Sequence, residues 1–117
     1  MLEYALYFLI AGACYGAYLA YRHWTNQPPK FKVALFHGPI GFIGILFLIA
    51  HLSKHGLSVF PLLATLILAG GAMFGVGMIV GHKTGQAIPR PIIIIHMLAG
   101  LTGIILVWYS LKLMNTQ

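Results

Sequence analysis

His23 and His37 stand 14 residues apart, and His82 and His96 repeat that interval 59 positions further along the chain. Neutral imidazole ligates zinc, copper and haem iron, and it exchanges protons near neutral pH. The same offset carries Gly12, Ala13, Gly16, Thr25, Gln27, Gly41, Gly44 and Ile45 onto Gly71, Ala72, Gly75, Thr84, Gln86, Gly100, Gly103 and Ile104 without a gap. The chain is therefore an internal duplication, with repeat one at about 1–56 and repeat two at about 57–117. Mostly Gly, His, Thr and Gln recur, rather than the Leu and Ile that an apolar composition matches by accident. That choice of residues marks a built site.

The elements that position these residues follow from composition. The 117 residues are 60% hydrophobic and 7% charged, and mean hydropathy is +0.91. Such a chain has too little polar surface to be water-soluble. A membrane-crossing helix needs about 20 mainly apolar residues, and four such runs are present, at about 4–22, 33–53, 57–81 and 91–113. Asn26, Gln27, Pro28 and Pro29 end the first run, and Pro89 and Pro91 restart the fourth. The expected fold is an all-α, integral membrane four-helix bundle built from two tandem two-helix repeats, forming one transmembrane domain over 1–117. The first run lacks a basic leader and a small-residue cleavage site, so it is read as a retained helix.

Cation placement orients the bundle. Arg22, Lys30, Lys32, Lys83 and Arg90 flank the two loops within the repeats, against Lys54 and Lys112 on the other side. The positive-inside rule places the 23–32 and 82–91 loops in the cytoplasm and both termini outside, as in a bacterial inner (plasma) membrane. The net charge of +6 then reflects topology and lipid headgroups. There is no soluble basic domain to bind nucleic acid.

Each histidine pair brackets a proline-containing loop, which gathers all four imidazoles near one membrane face. His37 and His96 lie deeper, by on the order of 7 Å. On the second run His37, Gly41, Gly44, Leu48, His51 and His55 share one helical face, and on the fourth His96, Gly100, Gly103, Val107, Ser110 and Met114 do so. Such glycines act either as packing seams between membrane helices or as space for a ligand. Glu3 is the only carboxylate, which counts against magnesium, calcium and carboxylate relays. Among imidazole-bound groups, haem accounts best for the glycines at 41, 44, 100 and 103, because a flat macrocycle needs room. Arg22, Lys30, Lys83 and Arg90 are then candidate partners for its propionates, and Tyr15, Trp24, Phe36, Phe42 and Phe74 candidate walls.

In this placement of histidines and glycines the chain resembles the small four-helix b-type membrane cytochromes, in particular those of cytochrome b561-like architecture. In that family a duplicated hairpin supplies one histidine per helix. The resemblance implies His37 paired with His96 and His23 with His82, binding one or two haem b groups. It implies electron transfer, either as a quinol-linked oxidoreductase or as an electron-transfer subunit, between the quinone pool and a redox protein partner or within a homo-oligomer. In the family the two histidines of one hairpin lie on opposite membrane sides, whereas here both lie at the loop end. A second haem toward the other face would call on His51, His55 or Met114. The other readings are a copper- or zinc-handling membrane protein, with Met73, Met78 and Met97 as soft ligands, a chlorophyll-binding protein, and a structural subunit of a larger membrane complex.

Overall fold

The computed structural model describes residues 1–117, in four helices: α1 (Leu2–Trp24), α2 (Phe31–His55), α3 (Val59–Lys83) and α4 (Arg90–Asn115). They have 23, 25, 25 and 26 residues, or about 35–39 Å each at 1.5 Å per residue. All four are long and apolar enough to cross a membrane, whose hydrocarbon core is about 30 Å thick. The expected runs differ from the observed helices by one or two residues at the ends. Only α3 starts later than expected: Leu57 and Ser58 stay outside because Gly56, at φ 84°, breaks the helix path and Ser58 is extended.

The two hairpins end α1 and α3 in the same way. Asn26 and Gly85, equivalent in the duplication, both take left-handed backbone, at φ 56° and 75°. Their N–H groups donate to the carbonyls of His23 and His82, at 3.2 Å each, and the next residues Gln27 and Gln86 reach Arg22 and Gly81, at 2.8 and 2.9 Å. This pattern satisfies helix-end carbonyls while reversing the chain. It needs a residue tolerant of positive φ, and Gly and Asn are the two that supply it most readily. Thr25 and Thr84 add side-chain bonds to the carbonyls of Tyr21 and Val80.

Around the bundle α1 packs on α2 and α3 on α4 within the hairpins. Contacts between α1 and α4 and between α2 and α3 join the hairpins, and the diagonal pairs α1/α3 and α2/α4 make no backbone approach. The interior is two-fold repetitive as well. Ala5 and Ala64, Leu9 and Leu68, Gly12 and Gly71, Gly44 and Gly103, and Leu48 and Val107 are equivalent and buried pair by pair. In lipid this core holds by van der Waals packing, since apolar burial from water supplies little there.

Packing is uneven along the axis. No residue of α1 after Gly12, of α3 after Gly71, or of α2 before Gly44 is buried, and on α4 only Ile93 is buried before Gly103. The end bearing residues 54–58 is closed, and the end bearing the hairpin loops is loose. His37 and His96 sit in the loose half.

Candidate functional site

His37 on α2 and His96 on α4 meet across the bundle diagonal, with their Nε2 atoms 3.4 Å apart. The ring planes cross at 82° and the centroids lie 5.7 Å apart. Each ring is fixed from behind by its own hairpin. Nδ1–H of His37 donates to the Gly12 carbonyl of α1, and Nδ1–H of His96 to the Gly71 carbonyl of α3, both at 2.7 Å.

Those carbonyls determine the tautomers. A carbonyl oxygen only accepts, so both Nδ1 atoms carry hydrogen, and in the neutral rings both Nε2 atoms are bare lone-pair donors. Two lone pairs facing each other at 3.4 Å cannot hydrogen-bond. The arrangement suits an electrophile between them, either a metal ion or a proton shared by an imidazolium and an imidazole. Metal–imidazole bonds are about 2.0–2.1 Å, so a metal there needs roughly 4 Å between nitrogens. The rings have to part by about 0.6 Å, within ordinary side-chain adjustment. Because each imidazole leans on its own hairpin, the space between the Nε2 atoms is also the space between the hairpins.

Glycines shape this arrangement in three ways. Gly16 and Gly75 accommodate the rings, since a Cβ at Gly16 would stand 2.8 Å from Cε1 of His37 and one at Gly75 would stand 3.2 Å from Cε1 of His96. Gly41 and Gly100, one turn deeper than the histidines on the same faces, look onto open space. Gly44 and Gly103, expected to line a chamber, are packed instead. A Cβ at Gly44 would meet the Leu9 side chain at 2.7 Å, and one at Gly103 would run into Leu68. The cleft therefore ends where the Leu9, Leu48, Leu68 and Val107 core begins, about 10 Å along the axis from the histidines.

At the other end of the cleft the two seams between hairpins carry matched pairs. Across α1/α4 the Arg90 guanidinium lies over the Trp24 ring at 5.7 Å, and across α3/α2 the Lys83 ammonium lies over the Phe31 ring at 5.8 Å. Positions 24 and 83 are equivalent, as are 31 and 90, so the duplication keeps a cation–aromatic pair while exchanging which helix supplies the cation. Such pairs are worth about 0.5–1 kcal/mol when exposed. The α1/α4 seam also holds an apolar groove of about 380 Å³ lined by Ala17, Ala20, Tyr21, Trp24, Ile94 and Met97.

Other expected residues lie elsewhere. The Arg22 Nε donates to the Pro28 carbonyl at 2.9 Å and its Nη1 to the Tyr18 hydroxyl at 3.4 Å, and Lys30 lies over the Tyr18 ring at 5.9 Å. Both cations are thus engaged within the first hairpin. His23 sits edge-on to Trp24 at 5.5 Å and His82 is exposed. No group of three or more His, Cys, Asp or Glu converges, so the expected four-imidazole ring is instead one close pair with two outlying histidines. Tyr15 and Phe36 stack on each other at 5.9 Å; both are exposed, as is Phe42. His51 and His55 lie at the closed end, about 21 and 27 Å from His37 along α2.

Sequence reasoning missed the two glycine carbonyls behind the histidines and the cation–aromatic pairs. The first left a trace, because Gly12 to His37 and Gly71 to His96 are both 25 residues apart. Comparison with protein-family models, with curated proteins and with solved structures finds no match.

Proposed function

We propose that this chain is a b-type membrane cytochrome that holds one haem between His37 and His96. The observation that carries the reading is the pair of bare Nε2 atoms, converging at 3.4 Å while both Nδ1–H groups are anchored at 2.7 Å. Backbone carbonyls behind ligating histidines fix the ring and raise its basicity, which is the usual outer shell of a metal-bound imidazole. Two protein ligands suit a metal whose other positions are filled by a macrocycle. Tetrahedral zinc needs four donors, and no third His, Cys, Asp or Glu joins this pair. Chlorophyll bound through a single histidine leaves the second imidazole without a role.

A haem held by His37 and His96 would supply one-electron redox chemistry. The chain's own contribution is to aim both lone pairs, to exclude water with the Leu9 and Leu68 layer, and to leave Gly41 and Gly100 without side chains along the cleft. Arg90 and Lys83, one at each seam mouth, are the cations placed to pair with propionates. Arg22 is occupied elsewhere. Electron exchange with the quinone pool and a redox protein partner fits a chain with little surface outside the bilayer. The cation bias argues for a bacterial inner membrane with the hairpin loops in the cytoplasm.

The test is haem per chain after expression with haem supplied, beside zinc and copper analysis of the same sample. About one haem, lost on His37→Ala or His96→Ala and retained on His23→Ala or His82→Ala, is the expected result. Stoichiometric copper or zinc without haem overturns it, and so does haem that survives loss of both deep histidines.

A further inference from the structure

A second cluster of imidazoles lies at the closed end, where the cytochrome reading gives it no task. His51 and His55 are one turn apart on α2, with ring centroids 4.7 Å apart and planes tilted by 33°. His51 is only 4% exposed and makes no side-chain hydrogen bond within the protein, yet its ring nitrogens are not sealed from solvent. Ser110, its counterpart in repeat two, closes on the Leu106 carbonyl at 2.7 Å.

Packing does not require an imidazole there. Most other positions buried in both repeats are kept in kind, as with Ala5 and Ala64, Leu9 and Leu68, and Gly44 and Gly103, whereas His51 and His55 are replaced by Ser110 and Met114 in the second repeat. The duplication departs from its pattern at both histidines together, and they stand at the spacing by which two side chains of one helix reach a single ion.

We propose that His51 and His55 form a binding site for a divalent late transition-metal ion at the membrane face opposite the hairpin loops. Two neutral imidazoles with no thiolate or carboxylate select nickel or copper(II), whose tetragonal coordination accepts two imidazoles with water in the remaining positions, copper(II) most tightly by the general order of affinities. His55 closes α2 and is exposed, so the ion enters from the aqueous side and water completes its coordination. The site is independent of haem, since it stands about 21 Å along α2 from His37.

The experiment is calorimetric titration of the detergent-solubilised protein with nickel and, separately, copper(II). One site per chain is expected in the unaltered protein and in a His37→Ala, His96→Ala double variant. Chelation makes the second bond intramolecular, so His55→Ala weakens binding by on the order of 10²-fold. His51→Ser installs the residue that repeat two already accommodates at this position, and it removes the site to the same degree while the helical spectrum and melting temperature are kept. Binding that persists in the His51→Ser, His55→Ala double variant, or no binding in the unaltered protein, overturns the proposal.

Discussion

Replacing Gly16 with Ala tests the aiming of His37 directly. The new Cβ stands 2.8 Å from Cε1 and 3.1 Å from Nδ1 of His37. Ordinary contact needs about 3.4–4 Å, so the ring has to yield by roughly 0.6 Å or more. Behind it lies the Gly12 carbonyl at 2.7 Å, and displacement breaks or bends that hydrogen bond. Leaving a buried donor unpaired costs about 1–3 kcal/mol, which corresponds to a loss of haem affinity on the order of 10- to 100-fold. The equivalent Gly75→Ala meets His96 Cε1 only at 3.2 Å, a conflict of a few tenths of an ångström, and about a twofold loss is expected. The assay is titration of apoprotein with haemin in detergent, read in the Soret band, with the melting temperature of each apoprotein as control. Equal affinities in the two variants, or affinities that follow the melting temperature alone, refute the reasoning.

Gly41→Leu and Gly100→Leu fill open space, so they should abolish haem binding while the apoprotein keeps its melting temperature. Gly44→Ala and Gly103→Ala press on Leu9 and Leu68 and should destabilise the bundle by about 1–3 kcal/mol, as overpacked cores do; denaturation and haem titration together separate the two classes. Removing the seam cations with Lys83→Ala and Arg90→Ala should lower the reduction potential, because positive charge favours the electron-richer state. At roughly 10 Å and an effective dielectric of ~20 each charge is worth about 1–2 kcal/mol, or tens of millivolts. Arg22→Ala, whose side chain is tied to Pro28 and Tyr18, should leave the potential nearly unchanged in the same spectroelectrochemical titration.

The helices and their hairpin pairing are legible in the sequence because the apolar runs are long and the punctuating residues unambiguous. Asn26, Gln27, Pro28 and Pro29 mark the end of the first run and Pro89 and Pro91 the start of the fourth, and the short connections make consecutive helices antiparallel. The deep pair was legible too, through the repeat and the helical face it shares with Gly41 and Gly100. Which glycines leave space was not, because a face says where a residue points and nothing of what stands opposite. Leu9 and Leu68 occupy the places facing Gly44 and Gly103, and that depends on the axial offset of α1 against α2 and of α3 against α4. Arg22 illustrates the same limit. Its position beside His23 suggested a role at the site, but its reach to Pro28 and Tyr18 is set by the loop's path.

The central claim is that two anchored imidazoles present their Nε2 lone pairs to one iron from opposite sides, with ring planes near the observed 82°. Electron paramagnetic resonance of the oxidised, haem-loaded protein tests it most directly. The account predicts a low-spin ferric signal of the strongly anisotropic kind that near-perpendicular imidazole ligands produce, disappearing together with the haem on replacement of either His37 or His96. A high-spin signal in the unaltered protein, or a low-spin one indifferent to both substitutions, would contradict it.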